Sequence, residues 1–140
     1  MSIRIAISDD DVQACYPVMW ELRPQLKAEQ FLDRVREQER CGYHLAWNET
    51  ETGVVAVAGF RLGTNLSWGR FLYVDDLVTH AKYRSKGYGT EMLTWLKAYA
   101  VQEDSVQIHL DSGTEKVDAH RFYEREGLTK KGYQFFENIK

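Results

Sequence analysis

Residues 71–100, FLYVDDLVTHAKYRSKGYGTEMLTWLKAYA, combine the patterns of a strand, a turn and a helix. Residues 71–79 are apolar and β-branched enough for a buried strand. Further along, apolar positions recur every three or four residues, as in an amphipathic helix. These positions are Gly89, Met92, Leu93, Leu96 and Ala100. The stretch therefore predicts a buried strand followed closely by a helix.

The turn between them, RSKGYG at residues 84–89, has the composition of an anion site. Glycine carries no Cβ, so the backbone can approach an anion closely. The free N–H groups and the dipole of the following helix attract negative charge, and Arg84 and Lys86 add positive charge. The turn predicts a phosphate or pyrophosphate ligand. It lacks the G-x-G-x-x-G and G-x-x-x-x-G-K-[ST] patterns of dinucleotide and nucleotide loops.

The composition is that of an ordinary globular protein. With 44% apolar and 28% charged residues in 140, the sequence predicts a single domain over residues 1–140. The formal charge of −3 gives no electrostatic reason to expect nucleic-acid binding. The apolar runs fall far short of the ~20 residues that span a membrane, and the N-terminus lacks a signal-peptide pattern. We therefore expect a cytoplasmic protein that binds neither nucleic acid nor membranes.

The sequence predicts no metal site. The four histidines lack metal-site spacing, and the two cysteines, Cys15 and Cys41, are too few for a zinc cluster or a disulfide scaffold. Cys15 falls on the apolar side of a helix, which indicates a core residue.

The first half of the chain predicts a strand, two helices and a hairpin. Ser8 has the position of a cap for a first helix that ends near Arg23, and a second helix is expected over residues 28–41. The strands are expected at residues 3–7, 43–47 and 54–62.

The second half predicts one further strand at residues 106–110, a last helix and a closing strand. Ser112 or Thr114 is the expected cap of the last helix, which ends at Gly127. The closing strand follows from the alternation of Tyr133, Phe135 and Ile139. The full order is β α α β β β α β α β, and its strand–helix–strand unit implies a parallel pair with a right-handed crossover.

Two blocks of the sequence resemble the GNAT N-acetyltransferases. The first, R-x-x-G-x-G between a strand and a helix, is similar to the acyl-CoA loop of that family and falls at Arg84, Gly87 and Gly89. The second, A-x-x-F-Y-x-x-x-G-L, is similar to the family's second block and falls at Ala119, Phe122, Tyr123, Gly127 and Leu128. Two blocks in the family's order and separation, in a chain of the family's usual length, make the resemblance specific.

The resemblance implies a single-domain α/β fold of the GNAT acyl-CoA N-acyltransferase type. Its sheet is mixed and mostly antiparallel, with helices on both faces, and one parallel strand pair splays apart. Here those strands end at Thr79 and near Asp111. The implied cosubstrate is acetyl-CoA, whose pantetheine arm lies in the gap much as an added strand would. The implied acetyl-CoA contacts are Leu77, Val78, Thr79, Arg84, Ser85, Lys86, Gly87, Tyr88, Gly89, Thr90, Ser112 and Phe122.

Acetyl transfer needs a base, because a primary amine with a pKa near ~10 is mostly protonated at neutral pH. Asp75 and Asp76 lie in a strand expected to be buried, where a carboxylate without a partner is costly. Strand alternation places them on opposite faces unless a bulge re-aims them. We predict Asp75 as the base because it shares a face with Tyr73, where some family members place their acid. Asp76 is the alternative, and a structural ion pair is the remaining explanation for either residue.

The resemblance also implies the other catalytic groups. A backbone N–H near Val78 polarises the thioester carbonyl, and the hydroxyl of Tyr123 lies near the CoA sulfur, where it protonates the departing thiolate. The implied acceptor-binding residues are Glu21, Tyr73, Asp76 and Asp111. The acidic residues among them favour a cationic acceptor.

The sequence therefore predicts an acetyl-CoA-dependent N-acetyltransferase. It acts by direct transfer to a primary amine of a small molecule or a protein, because both cysteines lie outside the two blocks. The alternatives are a non-catalytic acyl-CoA-binding sensor or scaffold of the same fold and, more distantly, a purely structural domain. The last strands could pair two copies, so a homodimer is a further expectation.

Overall fold

The protein is described by a computed structural model, in which residues 3–140 are defined. Its elements in chain order are β1 (Ile3–Ile5), α1 (Asp9–Ala14), α2 (Tyr16–Leu22), α3 (Ala28–Glu39), β2 (Tyr43–Thr50), β3 (Gly53–Asn65), β4 (Gly69–Thr79), a 3₁₀ turn (Ala81–Tyr83), α4 (Tyr88–Gln102), β5 (Gln107–Leu110) and α5 (Val117–Arg125). The chain forms two compact units, one ending at His109 and the other beginning at Leu110.

The strands form one sheet in the order β1-β2-β3-β4-β5. β1 to β4 pair antiparallel with their neighbours in sequence, whereas β5 runs parallel to β4 after the α4 crossover. The predicted mixed, mostly antiparallel sheet is therefore confirmed.

Helices cover both faces of this sheet because the strands alternate their apolar side chains. On one face, Leu45 and Trp47 of β2 pack into a buried cluster with Val12, Met19 and Phe31 from the first three helices. On the other face, His44 and Phe60 contact Tyr99 of α4, with ring centroids 6.4 and 5.2 Å away. The predicted two-faced arrangement is confirmed.

The first predicted helix is divided in two, although its cap is as expected. The Ser8 hydroxyl accepts a hydrogen bond from the Asp11 N–H at 3.1 Å. Cys15 then separates α1 from α2, and Pro17 lies in the first turn of α2. Proline donates no backbone hydrogen bond and restricts the residue before it, so a continuous helix through this point was wrong.

Two predictions for the second unit were also wrong. Neither Ser112 nor Thr114 caps α5, because Lys116 holds the cap position and makes no side-chain cap bond. No strand forms over residues 133–139. Alternation supplies an apolar face but not the partner strand that a ladder requires. The exposed apolar side chains there are Tyr133, Phe135, Phe136 and Ile139, each at 80% or more of its full accessibility.

Candidate active site

The turn between β4 and α4 has the backbone shape that its glycines predict. Gly87 is the N-cap of α4 with a φ of 87°, and Ser85 precedes it with a φ of 63°. The left-handed region suits glycine because other residues bring their Cβ too close to the backbone. A Cβ on Gly87 would meet no atom within 4 Å. Within residues 3–140, the space beside the Gly87 Cα is therefore open to a ligand.

Donors and cations surround this open turn. The Glu91 N–H donates to the Gly87 carbonyl at 3.0 Å, so the N–H groups of Tyr88 and Gly89 precede the hydrogen-bond ladder of α4. Thr90 also belongs to this first turn. The side chains of Arg84 and Lys86 are exposed beside it. This combination of backbone dipole and positive charge favours an anion.

The structure places Glu21, at the end of α2, against the same turn. Its Oε1 accepts a hydrogen bond from the Ala81 N–H at 2.8 Å and lies 3.7 Å from Arg84 Nη2. Its Oε2 lies 3.7 Å from His80 Nδ1. Glu21 thereby attaches α2 to the start of the turn, and its predicted contact with an acceptor stays a prediction.

A cavity of about 340 Å³ lies between α2, α3 and the strands β2 to β4. Its lining combines apolar side chains from α2, α3 and their connection with charged side chains from the strands, the connection and α3. Its lining residues are Met19, Arg23, Gln25, Leu26, Phe31, Arg34, Val35, Gln38, Tyr43, Arg61, Asp75 and Asp76. A mixed lining of this size is typical of a small-molecule site.

Both predicted acids line this one cavity because β4 contains a bulge. Asp76 lies opposite Gly59 and Val74 lies opposite Phe60, so Asp75 is an extra residue in the register. A bulge re-aims the side chains around it. Strict alternation, which would separate the two carboxylates, does not hold at this position.

Asp76 is fully occupied by protein partners. Its Oδ1 accepts a hydrogen bond from Arg23 Nε at 2.9 Å, and its Oδ2 accepts one from the Tyr43 hydroxyl at 2.8 Å. Burial, together with the Asp76 carboxylate, raises the pKa of Tyr43 well above its ordinary value, so the phenol stays protonated and donates. A Cβ on Gly59 would overlap the Tyr43 hydroxyl. Gly59 therefore provides the space for this pair.

Asp75 differs because one of its oxygens is free. Its Oδ2 accepts a hydrogen bond from Arg61 Nε at 2.8 Å, but its Oδ1 has no hydrogen-bond partner among residues 3–140. Partial burial raises the pKa of Asp75 above its usual range, against the opposing effect of Arg61. Asp75 thus presents a carboxylate that is more basic than usual and has room for a proton.

The C-terminal half of β4 has one edge beyond the reach of β5. On the β3 side, Leu77, Val78 and Thr79 lie opposite Ala58, Val57 and Ala56. On the other side, the Val106 N–H, just before β5, donates to the Arg70 carbonyl at 2.9 Å. β5 has four residues and β4 has eleven. The far edge of residues 77–79 therefore extends past the parallel pairing and can receive an extended ligand.

The second unit contains the other predicted site residues. Phe122 and Tyr123 lie side by side on α5 with ring centroids 5.4 Å apart. Burial raises the pKa of Tyr123, which keeps its hydroxyl protonated at neutral pH. Asp111 Oδ2 accepts a hydrogen bond from Gln134 Nε2 at 3.2 Å, and Ser112 is half-buried.

Sequence reasoning missed the partners of the two acids. Arg23 follows α2, whereas Tyr43 and Arg61 lie on β2 and β3, and their spacing in sequence carries no motif. The available signal was physical: two carboxylates in a buried strand require cations or donors nearby. Tyr73, the predicted neighbour of the base, lies opposite Arg61 on β3.

Within residues 3–140, no group of histidine, cysteine and acidic side chains is arranged to hold a metal ion. Among the helices described there, none combines the length and the apolar character needed to cross a bilayer.

Comparison with known proteins gives a consistent family match. A sequence profile of the acetyltransferase (GNAT) family matches residues 9–128. A Bacillus subtilis (strain 168) protein named "Uncharacterized N-acetyltransferase YhdJ" is 34% identical over 130 residues, which cover 91% of this chain and 92% of that protein. The "Aminoalkylphosphonate N-acetyltransferase" of Salmonella typhimurium (strain LT2) is 25% identical over 131 residues, covering 90% and 84% of the two chains.

The fold is shared with solved structures of very different sequence. The structure of AAC(6')-Iy in complex with the bisubstrate analogue CoA-S-monomethyl-acetylneamine superimposes with a TM-score of 0.83. The match covers 99% of this chain and 97% of that chain at 10% identity. The likeness confirms the predicted fold.

Proposed function

The chain belongs to the acetyltransferase (GNAT) family, as its two sequence blocks predicted, and we propose that it transfers acetyl from acetyl-CoA directly to a primary amine. The amine is carried by a small molecule or by a protein. The observation that carries this proposal is the free carboxylate oxygen of Asp75 in a cavity on the same strand that leads into the open turn.

The turn provides the contacts for acetyl-CoA. The first-turn N–H groups of α4, with Arg84 and Lys86, suit the pyrophosphate. The edge of residues 77–79 that extends past β5 suits the pantetheine arm. The solved relative with a CoA-derived analogue supports this use of the fold. Ser112 and Phe122 remain proposed contacts from the second unit.

The chemical step is divided between three groups. Asp75 takes a proton from the ammonium, directly or through water, so that the nitrogen lone pair forms the new C–N bond. The Val78 region supplies the backbone N–H that stabilises the oxyanion as the carbonyl becomes tetrahedral. When the C–S bond breaks, Tyr123 gives its proton to the thiolate, and the second proton lost by the new amide nitrogen restores the Tyr123 hydroxyl, so that CoA leaves as the thiol. The raised pKa of Asp75 suits a base at neutral pH, and the raised pKa of Tyr123 means that its hydroxyl carries a proton there.

Direct transfer is favoured over a cysteine intermediate. Burial raises the pKa of the Cys15 thiol to about 12, with Asp11 and Glu49 adding to the effect. A thiol with this pKa forms almost no thiolate at neutral pH. Cys41 is exposed but lies outside both sequence blocks.

The size of the cavity and the name of one relative restrict the class of acceptor that we propose. A volume of about 340 Å³ suits a small molecule, and the Salmonella relative is named for a small acceptor, an aminoalkylphosphonate. These observations support the small-molecule form of the proposal. Asp76 and Tyr73 remain proposed acceptor contacts, with Glu21 and Asp111.

The test measures thiol release from acetyl-CoA by the purified full chain with a panel of primary amines, together with CoA affinity by calorimetry. The proposal expects amine-dependent release and an acetylated product by mass spectrometry. Tight CoA binding without release for any amine would instead support the sensor or scaffold. Absence of CoA binding would reject both.

We also propose a homodimer, a single functional domain over residues 1–140 and a cytoplasmic location. The exposed apolar side chains from Tyr133 to Ile139 support the dimer, because an unpartnered patch of this kind favours association. Sedimentation velocity of the full chain would show a single monomeric species if this proposal is wrong.

A further inference from the structure

The cavity lining contains more cations than anions. Its positively charged residues are Arg23, Arg34 and Arg61, and its negatively charged residues are Asp75 and Asp76. With all five ionised, the lining carries a net charge of +1. A cavity built for a purely cationic amine would carry the opposite excess.

Two of the three guanidinium groups are already committed. Arg23 Nε donates to Asp76 Oδ1 at 2.9 Å, and Arg23 Nη2 donates to the Asp75 carbonyl at 2.8 Å. Arg61 Nε donates to Asp75 Oδ2 at 2.8 Å, while its other nitrogens donate to Gln38 and to the Cys41 carbonyl. These two arginines balance the charge of the two carboxylates, and each already donates to oxygen atoms of the protein.

Arg34 is the third, and it is uncommitted. It lies on α3, lines the cavity, and has no hydrogen bond or ion pair with any residue in the range 3–140. A guanidinium presents a planar set of donors that matches the two oxygens of a carboxylate, phosphate or related oxyanion. Arg34 therefore offers the cavity a site for negative charge that the protein itself does not fill.

The remaining lining residues suit the alkyl segment that would join an oxyanion to an amine. Met19, Leu26, Phe31 and Val35 give the cavity an apolar wall. Such a wall favours a short alkyl segment, while Asp75 favours the ammonium end before it loses its proton.

We propose that the acceptor is a small primary amine whose alkyl chain ends in an oxyanion, with the oxyanion bound by Arg34 and the amine directed to Asp75. This inference rests on the proposed acetyltransferase function and names the substrate class of the same site. It replaces the cationic acceptor that the acidic residues alone suggested, because those acids are neutralised by Arg23 and Arg61.

The experiment compares acceptors that share an aminoethyl group and differ at the other end. β-Alanine, taurine and 2-aminoethyl phosphate carry a carboxylate, a sulfonate and a phosphate, n-propylamine is neutral and 1,3-diaminopropane is cationic. We expect kcat/KM for the best oxyanion amine to exceed that for n-propylamine by about tenfold or more, the size of a charge-assisted hydrogen bond. The arms of the panel also identify which oxyanion is preferred.

Matched variants connect the preference to Arg34. Arg34→Gln should reduce the ratio of kcat/KM between the oxyanion amine and n-propylamine to about one, and Arg34→Lys should restore part of it. Arg40→Gln is the control, because Arg40 follows the same helix, is exposed and does not line the cavity. It makes the same charge change and should leave the ratio unaltered.

The outcomes separate this inference from the proposed function. Turnover that is equal or faster with n-propylamine or 1,3-diaminopropane would overturn the oxyanion assignment and keep the acetyltransferase. An Arg40→Gln effect as large as that of Arg34→Gln would also overturn it. If no amine is acetylated, calorimetry with 2-aminoethyl phosphate decides: binding lost in Arg34→Gln supports the anion site, and no binding to the unmodified protein rejects it.

Discussion

The turn at residues 84–89 and the cavity around Asp75 and Asp76 are two candidate functional regions built in opposite ways. The turn is contiguous in sequence, and its main groups are backbone N–H donors and a glycine with a φ of 87°. The cavity draws its side chains from α2, the α2–α3 connection, α3, β2, β3 and β4. One region can therefore be read from six residues, and the other exists only after folding.

The turn and the cavity should therefore differ in how well they tolerate amino-acid substitutions. Backbone donors do not depend on side-chain identity, so the turn requires glycine mainly for its shape. The cavity requires particular side chains at particular distances, such as Arg61 at 2.8 Å from Asp75. We therefore expect substitutions to change the proposed acceptor of the cavity more readily than the proposed ligand of the turn.

Among the substitutions considered for the two regions, replacement of Asp75 should have the largest effect on activity. Asp75→Asn removes the base, and we expect kcat/KM to fall about 10²- to 10⁴-fold with little change in CoA affinity. In the unmodified protein, the raised pKa of Asp75 places the acid limb of the kcat/KM profile above the ordinary carboxyl range. Asp76→Asn is the control variant, because its kcat/KM profile should retain the acid limb. Loss of the acid limb in Asp76→Asn would instead identify Asp76 as the base.

Asp75→Asn should lower activity, but its stability relative to the unmodified protein should increase as the pH rises. Since burial raises the pKa of Asp75, its contribution to stability is present below its ordinary pKa and lost as pH rises through the raised one. Asparagine does not ionise, so the Tm of Asp75→Asn relative to the unmodified protein should increase between about pH 4 and pH 7. A relative Tm that decreases over this range would contradict the raised pKa.

A methyl group at Gly59 should damage the cavity by overpacking. The Cβ of Gly59→Ala would overlap the Tyr43 hydroxyl and crowd the Asp76 carboxylate, and we expect a loss of about 1–3 kcal/mol in the free energy of unfolding. The KM for the amine should rise with it. Gly132→Ala is the control, because a Cβ there meets no atom within 4 Å. Equal denaturation midpoints for both variants would argue against the crowding.

A methyl group at Gly87 should break the turn and spare the cavity. The left-handed φ of Gly87 makes Gly87→Ala strained by about 1–2 kcal/mol, and a relaxed turn would misdirect its N–H donors. We expect the KM for acetyl-CoA to rise about tenfold with the amine KM unchanged. Gly53→Ala has the same kind of strain, with a φ of 110° and open space around its Cβ, but should leave the acetyl-CoA KM unaltered. A similar rise in both variants would remove the turn from the site.

Glu21 tests whether the turn and the cavity bind different substrates, because it contacts the turn from α2, a helix that also borders the cavity. Glu21→Gln keeps an oxygen for the Ala81 N–H and removes the charge opposite Arg84. Since the Arg84 side chain is 62% exposed, we expect only about a two- to fivefold change in the KM for acetyl-CoA. Steady-state kinetics that show the change in the amine KM instead would place Glu21 in the acceptor site.

The elements were predicted well where their signals were local. The β4–α4 stretch, the Ser8 cap and the antiparallel hairpin follow from spacing, turn residues and capping chemistry. The errors have physical causes that local patterns omit. Pro17 interrupts the first helix, and the alternation at residues 133–139 has no partner strand.

The sequence by itself determined the family and the strand–turn–helix stretch around residues 84–89, because these depend on consecutive residues and on the backbone. Only the tertiary structure decided that Asp75 and Asp76 share one cavity, since a bulge opposite Gly59 and Phe60 overrides strand alternation. It alone decided which acid keeps a free oxygen and which arginine keeps a free guanidinium. Those assignments depend on distances between residues as many as 53 positions apart, and local pattern does not encode them.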